Sequence, residues 1–290
     1  MSYDLHGTID LHIHAGPSVA PRSVDGIELF EETKAAGYEA FIIKEHYIPS
    51  VFEAQLINKH LRKEGDPTAY GGICLNNTVG GLSLIAVDAA VCAGAKFVCF
   101  PTVSAMNHLQ HSPGKFPGSG NMTVPEKPIY YIDDNGELLP EAVEILEYLK
   151  DHPEVFIMTG HATVAELDAL VRKSAELGLK KVLVNHPQYH IGATIEDMVK
   201  WANLGAFIEV NACVFQGIGT TAKQPLSLAK EMMDSVPDEQ LILDTDLGQK
   251  KNCTPVVGMT RFIDFMMNDM GVDEKKVDQM LKVNPKKLLY

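Results

Sequence analysis

The sequence predicts an α/β protein folded as a closed (β/α)8 barrel, the TIM barrel, and three observations carry that prediction. Eight short, continuously apolar runs of strand length recur along the 290 residues. Amphipathic stretches of helical length separate them, as in a parallel sheet covered by helices on its outer face. Polar residues, histidines above all, gather where the runs end. The alternative is an open doubly wound sheet, which usually has fewer strands and a glycine-rich phosphate turn after the first. Here the first turn carries His12-Ile13-His14-Ala15-Gly16-Pro17 instead.

The first run, residues 8–13, alternates apolar and polar, so Asp10, His12 and His14 are expected on one face and Ile9, Leu11 and Ile13 on the other. Gly16-Pro17 stops it. Asp25 can cap a helix running to Ala36, with Gly37 as its stop signal. The second run, 40–43, ends at Lys44-Glu45-His46. A helical stretch over 50–63 leads through Gly65-Asp66-Pro67 to the third run, 70–75. A small-residue helix over 82–92 and Gly94 precede the fourth run, 96–100. The fifth, 155–158, ends in Thr159-Gly160-His161, and the sixth, 182–184, in Asn185-His186-Pro187. The seventh, 206–208, ends in Glu209-Val210-Asn211 and the eighth, 241–243, in Asp244-Thr245-Asp246. Helical stretches near 141–150, 164–177, 195–203 and 226–235 lie between them.

No repeat or low-complexity linker divides the chain, which reads as one barrel domain over 1–290. One connection, 102–139, is too long for a plain loop. It is rich in Gly and Pro, contains His108 and His111, and ends in a hairpin signal around Asn135-Gly136. An insertion leaving the C-terminal end of a strand sits over the active face of a barrel, so this segment is expected to act as a lid or substrate-binding wall.

A hydrophobic content of 46% is ample for a sizeable core. The net charge of −13 and pI of 5.3 argue against nucleic acid or an anionic membrane as a partner. The start Met1-Ser2-Tyr3-Asp4 has no basic, apolar signal sequence and no run approaches a membrane span, so a cytoplasmic location is expected. Five cysteines without regular spacing fit a reducing compartment, and Cys74, Cys92 and Cys99 read as small core residues.

Two imidazoles at i and i+2 on one strand face lie about 6.5 to 7 Å apart at Cα and can turn onto a single cation. In a barrel, residues at the C-terminal strand ends converge on one mouth. His12, His14, His46, His161, His186 and Asp246 all stand there. Imidazole and carboxylate together suit zinc, manganese or iron better than magnesium or calcium. Such a cluster would be costly to bury without a metal.

This pattern resembles the amidohydrolase superfamily of metal-dependent hydrolases, which has His-x-His after strand one, a histidine after strands five and six, and an aspartate after strand eight. His12, His14, His161, His186 and Asp246 match these positions in turn, and 283–289, Val-Asn-Pro-Lys-Lys-Leu-Leu, is similar to an ending common in that family. The resemblance implies one or two divalent ions, zinc first, and hydrolysis of a small-molecule amide, cyclic amide or lactone by a metal-activated water. It assigns Asp246 the proton transfer and His186 either ligation or polarisation of the substrate.

Two departures stand out. Many dinuclear members of that family bridge their ions with a carboxylated lysine or a glutamate at the end of strand four, but here that strand ends Cys99-Phe100-Pro101-Thr102. Lys44 or Glu45 is the available substitute. His46 resembles the Asp-His pair that follows strand two in polymerase-and-histidinol-phosphatase phosphoesterases, so Glu45 and His46 are candidate ligands as well. Asp244 competes with Asp246 for the strand-eight role, and Asp246 is favoured because it lies nearer the mouth. Arg22, His108, His111 and Glu209 are candidates for holding a polar substrate, Arg22 through a bidentate pair with a carboxylate or phosphate. A phosphoesterase, a single-metal decarboxylase and a non-catalytic metal-binding barrel are the alternatives. Phe262, Phe265, Met266 and Met267 would suit a homo-oligomer interface or packing against the barrel.

Overall fold

The computed structural model describes residues 3–112, 117–189, 191–220 and 224–290. Its eight parallel strands are β1 (Ile9–Ile13), β2 (Ala40–Ile43), β3 (Thr68–Cys74), β4 (Phe97–Cys99), β5 (Phe156–Met158), β6 (Val182–Val184), β7 (Phe207–Asn211) and β8 (Leu241–Asp244), paired in chain order. The sheet closes on itself beyond the regular ladder. A parallel bridge joins Ile13 to Leu247, His14 N donates to Leu247 O at 2.8 Å, and Asp246 N donates to His12 O at 2.8 Å. The barrel expected from the sequence is therefore present.

The helices of the strand-helix units and of the insertion after β4 are α1 (Gly26–Ala35), α2 (Val51–His60), α3 (Leu84–Cys92), α4 (Met106–His111), α5 (Pro140–Leu149), α6 (Val164–Glu176), α7 (Ile195–Asn203), α8 (Leu226–Ser235) and α9 (Pro255–Asp264). All but α4 follow the one-per-strand rhythm. Several begin where side-chain chemistry sets the start. Asp25 caps α1 by accepting from Ile27 N and Glu28 N, and Thr163 and Thr194 open α6 and α7 with capping boxes closed by Glu166 and Asp197.

One buried cluster draws apolar residues from all eight strands, among them Leu11, Ile42, Cys74, Phe97, Phe156, Leu183, Phe207 and Ile242, and fills the barrel. Alternate residues such as Val98, Ile157, Ile208 and Leu243 pack outward against the helices. β1 departs from the expected strict alternation. Its register shifts between Asp10 and Ile13, so Leu11 packs inside the barrel while Ile13 packs against Leu29 and Phe30 of α1. Asp10 does not share the mouth with the histidines; its carboxylate accepts from Thr245 Oγ1 at 2.8 Å and His12 N at 3.1 Å. An irregularity of this kind re-aims side chains at the end of a strand.

The insertion after β4 carries α4, which the sequence did not announce. The expected hairpin is reduced to a single antiparallel bridge between Ile132 and Leu138. Asp133 organises its tip by accepting from Asn135 N at 2.9 Å and Glu137 N at 3.0 Å. The chain before it is diverted into the core: Tyr131 is fully buried and its hydroxyl donates to Pro101 O at 2.6 Å. Cys92 is exposed on α3, unlike buried Cys74 and Cys99. Phe262 and Met266 are fully buried, and Phe265 and Met267 pack partly buried against the same core, so these residues serve the barrel's own packing. No helix among the described residues is long and apolar enough to cross a membrane.

Candidate metal centre

The strand ends bring five imidazoles into a closed circuit at the barrel mouth. Ring centroids are 5.2 Å apart for His12 and His14, 4.8 Å for His14 and His46, 5.9 Å for His46 and His161, 4.9 Å for His161 and His186, and 5.9 Å for His186 and His12. All five are buried. Burial pushes His14 down to about 3 and His186 to about 4, and holds His46 and His161 well below the ordinary imidazole value. His14, His46, His161 and His186 are therefore neutral rings.

Proton accounting shows where lone pairs point. His14 Nδ1 lies 2.7 Å from the Lys44 carbonyl oxygen, which can only accept, so Nδ1 carries the proton. His12 Nδ1 lies 3.1 Å from Glu209 Oε1 and donates in the same way. Each ring thus presents an Nε2 lone pair. Asp246 Oδ1 sits 2.9 Å from His14 Nε2 and 3.2 Å from His12 Nε2. Burial alone would raise the Asp246 carboxyl, but the surrounding His12, His14 and His186 rings hold it far below the usual carboxylate range. Three acceptors have been brought together with no ring proton to share, an arrangement that a divalent cation relieves. The donor set fits such an ion, with two imidazoles whose Nε2 atoms turn toward one carboxylate and an orienting partner behind each ring.

Glu209 is the partner behind His12. It is fully buried, and burial would raise its carboxyl, yet His12, His186 and Lys44 hold it far below the ordinary range. Its oxygens accept from His12 Nδ1, Asn185 Nδ2 at 2.9 Å, His186 N at 2.9 Å and Asn211 Nδ2 at 3.0 Å. Both oxygens are thereby committed, so the substrate-holding role expected of Glu209 gives way to positioning. Asp244 is fully buried beside Asn211, to which it is hydrogen bonded. With His12 and Glu209 it forms a second grouping of ligand type, on the Nδ1 side of His12. Asp246, rather than Asp244, meets the Nε2 atoms of His12 and His14.

The backbone is unusual at two of these positions. His186 has φ 23° and Asp246 φ 49°, left-handed values that non-glycine residues seldom adopt. His161 is placed by Gly160, whose φ of 70° brings it against the carbonyl groups of Phe100 and Pro101 so closely that a side chain would collide. Neither positive-φ residue was visible in the sequence, because Asn185-His186-Pro187 and Asp244-Thr245-Asp246 read as ordinary strand ends.

Lys44 and Glu45 diverge. Lys44 is fully buried with Nζ 3.1 Å from His12 Nε2. Burial disfavours its charge, but Cys99, Cys74, Glu209 and Asp246 outweigh it and favour the ammonium. The Glu45 carboxylate turns away, to Arg22 Nη2 at 3.3 Å and Tyr47 N at 3.3 Å, so of the two expected substitutes only Lys44 reaches the ligand atoms. Arg22 is pinned over this side by a backbone bridge to Gln249, and its Nε is buried without a partner among the described residues. In the insertion, His108 is buried with Nδ1 2.9 Å from His161 Nδ1, whereas His111 lies exposed at the end of the same helix on Asn107 O at 2.9 Å. The structure thus brings His108 to the circuit and leaves His111 at the surface.

Solved structures share this architecture at low sequence identity. A dipeptidase described as a metallopeptidase is 12% identical with a TM-score of 0.61 and 98% of each chain covered. An organophosphorus hydrolase from Deinococcus radiodurans is 12% identical with a TM-score of 0.59, covering 99% of this chain and 93% of its own. A lactonase from Listeria monocytogenes is 15% identical with a TM-score of 0.57, covering 100% of this chain and 96% of its own. At such identities the likeness establishes the fold. A search of curated proteins finds no match. A family model described as a family of unknown function matches residues 7–209, from just before β1 to Glu209 in β7, more than half of the chain. The protein therefore belongs to that family, DUF6282.

Proposed function

We propose that the protein is a metal-dependent hydrolase of the amidohydrolase kind, acting on an amide, cyclic amide or lactone of a small molecule. The observation that carries this reading is the acceptor triad of His12 Nε2, His14 Nε2 and Asp246 Oδ1, whose rings have already given their protons to Lys44 O and Glu209. The hydrolases sharing the fold, a lactonase and a dipeptidase among them, support it. Zinc is the expected ion, with manganese or iron as alternatives, and since the two ligand-type groups among the described residues share His12, one ion is favoured. When bound it would lower the pKa of water and polarise the scissile carbonyl.

The chain's own residues supply the rest. Asp246, a carboxylate at every working pH, accepts the proton released by the attacking water and delivers it to the leaving group. His186 is neutral, and its buried Nδ1 has no partner among the described residues, which suits it to join the ion or the substrate. Arg22 supplies positive charge on the β1–β2 side for a polar substrate. The five free thiols agree with a reducing, cytoplasmic setting. Zinc-loaded and manganese-loaded protein should be assayed against lactones, cyclic amides and dipeptides beside aryl phosphate esters, with Asp246→Asn as control. Turnover of carbonyl substrates that the variant loses supports the proposal. Turnover confined to phosphate esters replaces it with the phosphoesterase reading, and none on any panel with metal bound leaves a non-catalytic barrel.

A further inference from the structure

His46 belongs to the circuit, yet its proton accounting runs opposite to that of His12 and His14. His46 Nδ1 lies 2.8 Å from Thr102 Oγ1. A hydroxyl can donate or accept, so this contact alone leaves the tautomer open, and the surrounding bonds close it. Asn76 Oδ1 accepts from Thr102 N at 2.8 Å and Ser104 N at 3.1 Å, which fixes the amide with its Nδ2 as donor. That Nδ2 donates to His46 O at 2.7 Å and to Thr102 Oγ1 at 2.7 Å. Thr102 is fully buried, and among the described residues its hydroxyl hydrogen has no acceptor in reach other than His46 Nδ1. If Nδ1 carried a proton, that hydroxyl hydrogen would be buried without a partner, an unmade hydrogen bond that folded proteins avoid.

We infer that His46 is held in the Nε2–H tautomer and presents a hydrogen-bond donor, not a metal lone pair, to the barrel mouth. Its Nε2 has no protein partner among the described residues and is absent from the fully buried unpaired atoms, so it is the atom open to the mouth. His14 stands beside it at 4.8 Å between centroids, and Arg22 lends positive charge on the same side. The group this wall receives is an acceptor oxygen of the substrate, of carbonyl or carboxylate type, bound by His46 Nε2–H while the lone pairs of His12 and His14 face the cation. The substrate half of this inference rests on the proposed hydrolase activity; the tautomer half does not.

The test uses the full chain, labelled with 15N-histidine and loaded with zinc. Long-range proton–nitrogen correlation spectra should show, for the ring whose signals vanish in His46→Gln, a protonated Nε2 and an unprotonated Nδ1. A protonated Nδ1, or an Nε2 signal that moves on zinc addition as a ligand's does, overturns the assignment. Zinc content gives a second reading: His46→Gln should keep the wild-type complement while His14→Ala loses it, and loss in His46→Gln overturns the inference. Where turnover is found, His46→Ala should lower kcat/KM by about 10² to 10³, the effect of removing one positioned donor, and His46→Gln should recover part of it through its amide N–H. Equal kcat/KM in His46→Ala and wild type overturns the substrate-facing role. Absence of turnover in the wild type fails the hydrolase proposal instead, leaving the spectra and zinc content to decide the tautomer.

Discussion

Asp246 Oδ1 rests 2.9 Å from His14 Nε2 across a separation of 232 residues, at the seam where β8 meets β1. The same seam hydrogen bonds that close the barrel, Asp246 N to His12 O and His14 N to Leu247 O, hold this pair. Closure of the fold and assembly of the site are one event. Gly248 tightens it further: its φ of 125° brings it against the His14 carbonyl, where a side chain would collide.

Asp246→Asn keeps the shape of that seam and removes a carboxylate. The variant should fold with an unchanged melting temperature within a few degrees, and kcat on a carbonyl substrate should drop about 10² to 10⁴-fold. Comparing kcat with thermal unfolding separates a lost proton acceptor from a damaged barrel.

Glu209→Gln attacks the support behind His12. The amide oxygen can still accept from His12 Nδ1 and Asn185 Nδ2, but the NH2 that replaces the other oxygen then faces the donors His186 N and Asn211 Nδ2. Zinc affinity should fall about 10 to 100-fold, the usual effect of removing an orienting carboxylate. A competition titration against a chelator reads it directly.

Lys44→Met tests what the buried ammonium does. Its Nζ donates to the lone pair of His12 Nε2 that a cation would take, so charge and hydrogen bond both oppose metal binding. The variant should bind zinc about tenfold more tightly in the same titration. A loss of zinc would instead make Lys44 a bridging ligand, the role left open by the absence of a ligand at the end of β4.

The metal-free protein should lose stability as pH falls. His14 and His186 have folded-state values of about 3 and about 4, below the ordinary 6.5, so between these values and 6.5 the unfolded chain binds more protons. Their contribution is present in full above about 6.5 and is lost as pH falls toward 4. His186 alone accounts for about 3 kcal/mol across that interval. Urea midpoints of chelator-treated protein at pH 7.5 and pH 5 should differ accordingly, the lower pH being the less stable.

The barrel was legible because its signals are local. Runs such as Phe156-Ile157-Met158 and Val182-Leu183-Val184 are continuously apolar, and caps such as Asp25 and Thr163 mark helix starts. His12, His14, His161, His186 and Asp246 were legible because a parallel barrel sends every strand's C-terminal end to one mouth. Proton positions were not, since they depend on contacts between distant segments. The Thr102 hydroxyl that sets His46 lies 56 residues away, and the Glu209 carboxylate that sets His12 lies 197 away. The irregularity in β1 was hidden for a related reason. Thr8 to Ile13 alternates as a regular strand would, and it is pairing with β2 and with Thr245 that turns Asp10 away from the mouth.

The central claim is that His12, His14 and Asp246 hold a divalent cation. Elemental analysis of protein purified without added metal, and after zinc loading and gel filtration, tests it most directly, with His14→Ala measured in parallel. The account predicts about one zinc per loaded chain and its loss in the variant. No bound transition metal in folded wild-type protein under any loading condition would contradict it and remove the hydrolase mechanism with it.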